Sequence, residues 1–209
     1  RNTVETVRLA ISARAVLFEM AEREGIDFDL ERRGILHFYS NRKDLAHARM
    51  VNGLLAEGGL ERRELSPAEI REVEPALNGD FVGGFLTTSD SSGDIHKFTI
   101  GLAAACARRG ADLRFGTDVY GVAAVDGGVR ISSSSGEEEF DGVVVSAGVR
   151  SRAIAAALGD RVNIYPVKGY SITVALDDAA SQAAAPWISL LDDRAKIVAS
   201  RFEIGRAHV

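Results

Sequence analysis

The sequence predicts a mixed fold, α/β or α+β, because amphipathic helical segments, β-branched runs and glycine-containing turns alternate along its 209 residues. Apolar side chains recur at helical spacing over 3–24, whereas 143–145 is a continuous valine run that stops at small residues. Helices and strands are interleaved rather than grouped, and no linker-like stretch separates them. We therefore expect one α/β fold with interleaved lobes.

The first half of the chain is predicted to be mainly helical. The first helix ends at Gly25, a residue type common just after helix C-termini. Ser66, Pro67 and Glu69 form a capping box with proline at the first helical position, and Asp94 follows Gly93 as a candidate N-cap. The predicted helices are 3–24, 43–57, 67–74 and 96–109, and the predicted strands are 31–39 and 81–87.

The second half is predicted to consist mainly of strands. A serine- and glutamate-rich stretch at 132–139 is best explained as a hairpin tip between two of them. The predicted strands are 112–115, 119–125, 129–132, 138–140, 143–145, 164–168, 171–174 and 197–200, and the one predicted helix is 151–158.

Composition narrows the class of protein. Hydrophobic residues make up 46% and charged residues 26%, as in an ordinary globular domain, and the net charge of −5 is spread along the chain. This pattern argues against a nucleic-acid partner. The single cysteine and four scattered histidines do not form a metal-ligand pattern, and no apolar run reaches the roughly 20 residues that span a bilayer.

The turn that follows the 143–145 run is the strongest local candidate for a site. Ala147 and Gly148 would let a ligand approach the backbone closely, and Ser151 is placed to cap the next helix. Nucleotide cofactors use this strand, turn and helix arrangement, but many α/β proteins have such turns with nothing bound. Gly169 and Tyr170 lie between two β-forming runs, where either a hairpin bend or a close backbone approach explains the glycine.

The residues alone do not define a reaction. The sequence contains no Gly-x-Gly-x-x-Gly, no Walker loop and no Gly-x-Ser-x-Gly elbow. The residues therefore predict an α/β lobe that could bind a cofactor.

Four segments, taken in their order along the chain, resemble the FAD-dependent amine oxidoreductases of the D-amino acid oxidase type. The branch that they resemble most is the bacterial D-amino acid dehydrogenase small subunit, and the resemblance extends from residue 2 to about 201. The segment with the sequence YPVKGYS is the one that favours this branch over glycine or sarcosine oxidases. The four segments are GDIHKF at 93–98, RGADLRFGTDV at 109–119, DGVVVSAGVRS at 141–151 and YPVKGYS at 165–171.

The resemblance implies a two-lobed fold, with a Rossmann-like FAD lobe mainly at 91–160 and an antiparallel-sheet substrate lobe mainly at 31–90 and 164–203. It implies that the backbone of Val119 faces the adenine and that Ala147, Gly148 and Ser151 lie along the dinucleotide. Gly169 and Tyr170 become candidates for the substrate pocket. Catalytic residues stay unassigned, and no metal is implied.

The implied activity is oxidative deamination of D-amino acids to 2-oxo acids and ammonia, with electrons passing to a quinone or another acceptor. Two alternatives stay open: a glycine- or sarcosine-type amine oxidase, and a catalytically inert flavoprotein-like subunit. A cytoplasmic location follows from the resemblance, with peripheral association at the inner membrane as an open question.

The resemblance also implies that the chain is truncated at both ends. The family's phosphate-binding loop and its substrate-carboxylate arginine would lie outside it, so we expect the chain itself to bind FAD weakly and to be inactive. Residues 204–209 have the sequence IGRAHV, which matches the translation of a common sequencing adaptor. We expect these residues to be a read-through artefact.

Overall fold

A computed structural model describes residues 2–202 and 206–208. Contacts divide the chain into two compact units. Unit 1 comprises Arg1–Gly110 and Ser171–Val209, and unit 2 comprises Ala111–Tyr170. Of the expected artefact, residues 204, 205 and 209 lie outside the described residues, whereas 206–208 form a strand. That expectation stays a prediction.

All five predicted helices are confirmed, with ends that shift by a few residues, and one short helix was not predicted. The capping box at Ser66 is present, because its hydroxyl accepts the Glu69 amide while the Glu69 carboxylate accepts the Ser66 amide. Asp94 caps the fourth helix by accepting the amides of His96 and Lys97. The helices are α1 (Asn2–Glu24), α2 (Arg42–Glu57), α3 (Pro67–Val73), α4 (Ile95–Arg108), α5 (Ser151–Ala157) and α6 (Ala179–Ala184).

The strands form two sheets. Their bounds are β1 (Ile35–Tyr39), β2 (Arg63–Leu65), β3 (Gly83–Thr87), β4 (Val119–Val125), β5 (Gly128–Ser133), β6 (Gly136–Phe140), β7 (Thr173–Ala175), β8 (Ser189–Asp192), β9 (Ile197–Phe202) and β10 (Arg206–His208). A seven-stranded sheet in unit 1 has the order β2-β3-β1-β8-β9-β10-β7. Its neighbours pair antiparallel except β1 with β8, which are parallel, so the expected antiparallel sheet contains one parallel pair.

The core of unit 1 has three parts. One lies between α3 and one face of the sheet, and consists of Leu36, Leu65, Ile70, Phe81, Leu86, Ile188 and Leu190. The second packs α1 against α4 through Ala21, Ile26, Phe28 and Phe98. The third lies under α2 on the opposite face of the sheet and consists of Tyr39, Leu45, Ala48 and Phe85. Burial of these apolar surfaces is the main stabilising term for this unit.

Unit 2 has a much smaller core. A three-stranded antiparallel sheet of order β4-β5-β6 carries α5 against β4. Over 111–170, all of which the structure describes, Val129 and Ser151 are the only buried residues. Large apolar side chains are left at the surface instead, with Val144 at 90% and Val167 at 93% exposure.

Three predicted strands are wrong for this structure: 112–115, 143–145 and 164–168 have no strand conformation. A strand needs a neighbour for its backbone hydrogen bonds. The sheet of unit 2 ends at β6, and it does not extend to the valine run. The sequence showed the β-branched composition of these segments but could not show that they lack a pairing partner here.

The predicted lobes do not coincide with the compact units. The helix α4 falls in the range predicted for the FAD lobe, yet its contacts place it in unit 1. Units defined by contacts need not be functional lobes, so the lobe assignment stays a prediction.

Candidate functional site

Two of the predicted cofactor residues line one cavity in unit 2. Val119 at the start of β4 and Ala147 in the turn before α5 both border a cavity of about 460 Å³. This volume lies within the range of about 300–1,000 Å³ that ligand clefts occupy. The cavity is the candidate functional site.

The floor of the cavity is the first part of β4. In the sheet order, β4 is an edge strand, so part of its backbone does not pair with β5. Val119 pairs with Ser133, and the register shifts before Gly121, which marks a bulge at Tyr120. The Tyr120 hydroxyl donates to the Ser133 carbonyl at 2.7 Å. This bond holds the irregular start of the strand in place.

The turn at 147–151 contributes Ala147 to the lining, whereas Gly148 and Ser151, the other two predicted cofactor residues, do not line the cavity. The Ala147 amide donates to the Ser151 hydroxyl at 3.0 Å, and Ser151 is buried. Gly148 has φ of +56°, a left-handed conformation that favours glycine, and starts a single 3-10 turn that ends at Arg150. The chain therefore makes a tight bend directly before α5.

The predicted capping role of Ser151 is wrong. The residue is the first of α5, and the N-cap position belongs to Arg150, which makes no side-chain cap bond. The Ser151 hydroxyl instead accepts the amide four residues earlier, and this bond closes the turn.

Sequence reasoning missed the third wall of the cavity. It is one face of the segment that leads into α5, and Arg150 is the one cation among the residues lining the cavity. The spacing of these residues is i, i+3, i+4 and i+7, the signature of one helical face, which could have indicated them. They are Arg150, Ala153, Ile154 and Ala157.

The two predicted substrate-pocket residues do not line this cavity. Tyr170 is 85% exposed, and the Lys168 ammonium lies 5.1 Å from the centroid of its ring. A side chain added at Gly169 would meet nothing within 4 Å. Their assignment to a substrate pocket stays a prediction.

The lining fits the nucleoside portion of a dinucleotide. Alanine and isoleucine side chains give an apolar wall, and the edge of β4 gives backbone donors and acceptors. Arg150 gives one positive charge and Asp118 one negative charge. An apolar cleft with a few polar groups at its rim is typical of cofactor sites.

The sequence is similar to known proteins over essentially its whole length. The family model described as FAD dependent oxidoreductase (DAO) matches residues 1–206. D-amino acid dehydrogenase 3 of Mesorhizobium japonicum is 54% identical over 211 residues, which is 100% of this chain and 51% of that protein. D-amino acid dehydrogenase of Paramagnetospirillum magneticum is 39% identical, over 96% of this chain and 48% of that protein. The chain therefore spans about half the length of the curated relatives that it matches.

Solved structures show the same fold. Glycine oxidase from Geobacillus kaustophilus superposes with a TM-score of 0.82 at 21% identity, over 97% of this chain and 53% of that one. Glycine oxidase from Bacillus cereus gives a TM-score of 0.79 at 22% identity, over 99% of this chain and 55% of that one. In the described part of the chain, no helix combines the length and the apolar character required to cross a membrane.

Proposed function

Because the chain belongs to the family of FAD-dependent oxidoreductases, we propose that it forms part of a D-amino acid dehydrogenase. The reaction would convert a D-amino acid into a 2-oxo acid and ammonia, with a quinone or another carrier as final electron acceptor. The observation that carries the proposal is the 54% identity, over the whole chain, to a protein named D-amino acid dehydrogenase 3.

The residues of unit 2 would hold the cofactor. When bound, FAD supplies the two-electron acceptor that amine oxidation requires. The backbone of Val119, on the edge strand, would pair with the adenine edge. The single methyl group of Ala147 and the absence of a side chain at Gly148 would leave room for the dinucleotide. Ser151 would act indirectly, by fixing the turn through its bond to the Ala147 amide.

The substrate lobe is proposed from the sequence ranges 31–90 and 164–203. Gly169 and Tyr170 would contribute to its pocket. The exposure of Tyr170 supports a role in contact with another group, since a large aromatic ring in water gains little on its own.

The likeness to glycine oxidases does not favour a glycine or sarcosine substrate. At 21% and 22% identity it concerns the fold alone, and one fold carries many substrates. The dehydrogenase proposal rests on the much higher sequence identity to the curated relatives.

The test uses a polypeptide of the relatives' full length that contains this chain. Its flavin spectrum is recorded anaerobically, and D-alanine, L-alanine, glycine and sarcosine are added separately with an artificial electron acceptor. Bleaching of the flavin band by D-alanine alone, with reduction of the acceptor, is the expected result. Bleaching by glycine or sarcosine without D-alanine would replace the proposed substrate, and a protein without bound flavin would contradict the enzyme assignment.

The acceptor and the location need a separate measurement. A ubiquinone analogue in place of the artificial acceptor tests electron transfer to a quinone. Co-sedimentation with vesicles of bacterial inner-membrane lipid tests peripheral association, and protein that stays in the supernatant would favour a cytoplasmic enzyme with a diffusible carrier.

A further inference from the structure

A second cavity lies in unit 1, between α2 and the sheet. Its volume is about 420 Å³, and the predicted cofactor residues do not line it. The side chains that give it chemical character are His37 and Tyr39 of β1, Lys43 and His47 of α2, Arg62 before β2, and Asp193 after β8. With Asp44 of α2, the cavity is therefore lined by two cations, two histidines and two carboxylates.

Arg62 has an unusual environment. The Arg62 side chain interacts with the Tyr39 hydroxyl, but its Nε and Nη2 atoms are buried and have no hydrogen-bond partner among the described residues. These two nitrogens form the edge of the guanidinium that binds a carboxylate through two parallel hydrogen bonds. The cation lies 4.9 Å from the centroid of the buried Phe85 ring, a contact that holds its plane. A buried donor without a partner is costly, and a bound ion that accepts from it removes this cost.

The acidic side chains near Arg62 are already engaged elsewhere. Asp44 lies at the start of α2, where its carboxylate accepts the Asn41 amide group at 2.6 Å. Asp193 is paired with the Lys196 ammonium at 2.7 Å, and this hydrogen bond holds the pKa of Asp193 below its ordinary value. Neither carboxylate pairs with Arg62, so the Nε and Nη2 edge of its guanidinium stays open to a bound anion although the formal charges of the lining side chains balance.

We propose that this cavity binds a small monocarboxylate, whose oxygens occupy the Nε and Nη2 edge of Arg62. Lys43, which is exposed at the rim, adds long-range attraction for an anion. A single negative charge suits the site better than a dianion does, because Asp44 and Asp193 also border the cavity. The site is independent of the proposed function, since it involves neither flavin nor turnover.

His37 supplies an internal reporter. Burial, together with the positive charge of Arg62, lowers the pKa of His37 to about 4. An anion bound beside Arg62 offsets that positive charge and therefore raises the pKa of His37. The other titratable and charged groups that line the cavity with this imidazole are Tyr39, Lys43, Asp44, His47, Arg62 and Asp193. His47 provides a second ring whose signal can be followed.

The experiment is a titration of the 209-residue chain with sodium acetate at pH 7, followed by the ring signals of His37 and His47 in two-dimensional NMR. Sodium chloride at equal ionic strength is the reference. We expect a saturable shift with a dissociation constant of about 1 mM, typical of a very small ligand. Acetate is also expected to raise the protonated fraction of His37 at pH 5.5.

Matched substitutions distinguish binding through the two nitrogens of the guanidinium from attraction by positive charge alone. Arg62→Lys keeps the charge but loses the two-nitrogen edge, and we expect acetate to bind at least tenfold more weakly. Arg63→Lys, at an exposed neighbouring position, should leave the affinity within twofold. Lys43→Gln, at an exposed position that does not threaten folding, should weaken binding about threefold.

Three results would overturn the proposal. They are no saturable shift beyond the chloride reference, equal affinity in the wild-type protein and Arg62→Lys, and binding of inorganic phosphate as tight as that of acetate. If Arg62→Lys proves unfolded by circular dichroism, unchanged affinity in Lys43→Gln would count against the site in the same way.

Discussion

The carboxylate of Glu74 accepts the backbone amide of Ile188 at 2.9 Å, across 114 positions of sequence. Glu74 is 1% exposed and also accepts the amides of Trp187 at 2.6 Å and Ala76 at 3.1 Å. A buried carboxylate is costly unless such donors satisfy it. One side chain at the end of α3 therefore fixes the segment that leads into β8, and with it the parallel pairing of β8 with β1.

We predict that Glu74→Ala lowers the free energy of unfolding by about 3 kcal/mol, because it leaves the buried Ile188 amide and two partly buried amides without an acceptor. Glu74→Gln keeps one acceptor oxygen and should cost about 1–2 kcal/mol. Urea denaturation followed by the fluorescence of Trp187, the single tryptophan, measures both. Glu72→Ala, at an exposed position of the same helix, is the control and should change stability by less than about 0.5 kcal/mol. An unchanged midpoint in Glu74→Ala would contradict this role.

A second prediction concerns the turn at the candidate cofactor site. Gly148→Ala should destabilise the protein by about 1 kcal/mol, since its φ of +56° is unfavourable for residues with a Cβ atom. The cost arises from the backbone alone, because an added Cβ would meet no atom within 4 Å. Gly169→Ala has the same free space without a left-handed φ, so it should be neutral or slightly stabilising. Equal effects of the two substitutions in thermal unfolding would show that the turn does not hold this conformation.

The helices could be predicted from residues that are close together in the sequence. The strands were predicted less well, because a strand forms only where a second strand lies beside it. Ser66 with Glu69, and Asp94 before α4, are caps whose chemistry is contained within a few residues. The run at 143–145 has the composition of a buried strand, but strand formation depends on neighbours that are distant in sequence.

Of the four predicted cofactor residues, Val119 and Ala147 line one cavity, whereas Gly148 and Ser151 do not. Their roles toward a cofactor stay predictions. The role of Ser151 could not be read from its position, because a serine at a helix start can cap forward or bond backward, and only the three-dimensional turn decides. The cavity around Arg62 was missed altogether, since its side chains come from four separate segments.

A third prediction tests the cavity in unit 2 as part of the FAD site. In the full-length protein that contains this chain, Ala147→Leu should fill part of the cavity and weaken FAD binding about tenfold, or about 1.4 kcal/mol. Fluorescence titration of the apoprotein with FAD gives the dissociation constant. Ala124→Leu, at an exposed position of β4 outside the cavity lining, serves as the control and should bind FAD like the wild type. Equal losses in the two variants would point to a general effect on unit 2 rather than to a cofactor contact.

A fourth prediction follows from His37. Its pKa of about 4 in the folded protein lies below the ordinary value of 6.5, because burial and Arg62 disfavour the protonated ring. The unfolded chain therefore binds more protons than the folded one between these two values, so stability must rise with pH across this window. The contribution is fully present above pH 6.5 and is lost as the pH falls towards 4. Allowing for solvent screening at a half-buried ring, we expect about 1–2 kcal/mol.

Protonation of carboxylates also destabilises proteins in acid. The contribution of His37 is therefore obtained from the difference between variants in the stability lost on acidification. The free energy of unfolding is measured by urea denaturation at pH 7 and pH 5 for the wild type and for His37→Gln, which cannot take up a proton. The loss on acidification should be smaller in His37→Gln, whereas His96→Gln, at an exposed position, should follow the wild type. If His37→Gln loses as much stability as the wild type, His37 is not held neutral by its surroundings, and the electrostatic effect of Arg62 on this cavity is weaker than the structure indicates.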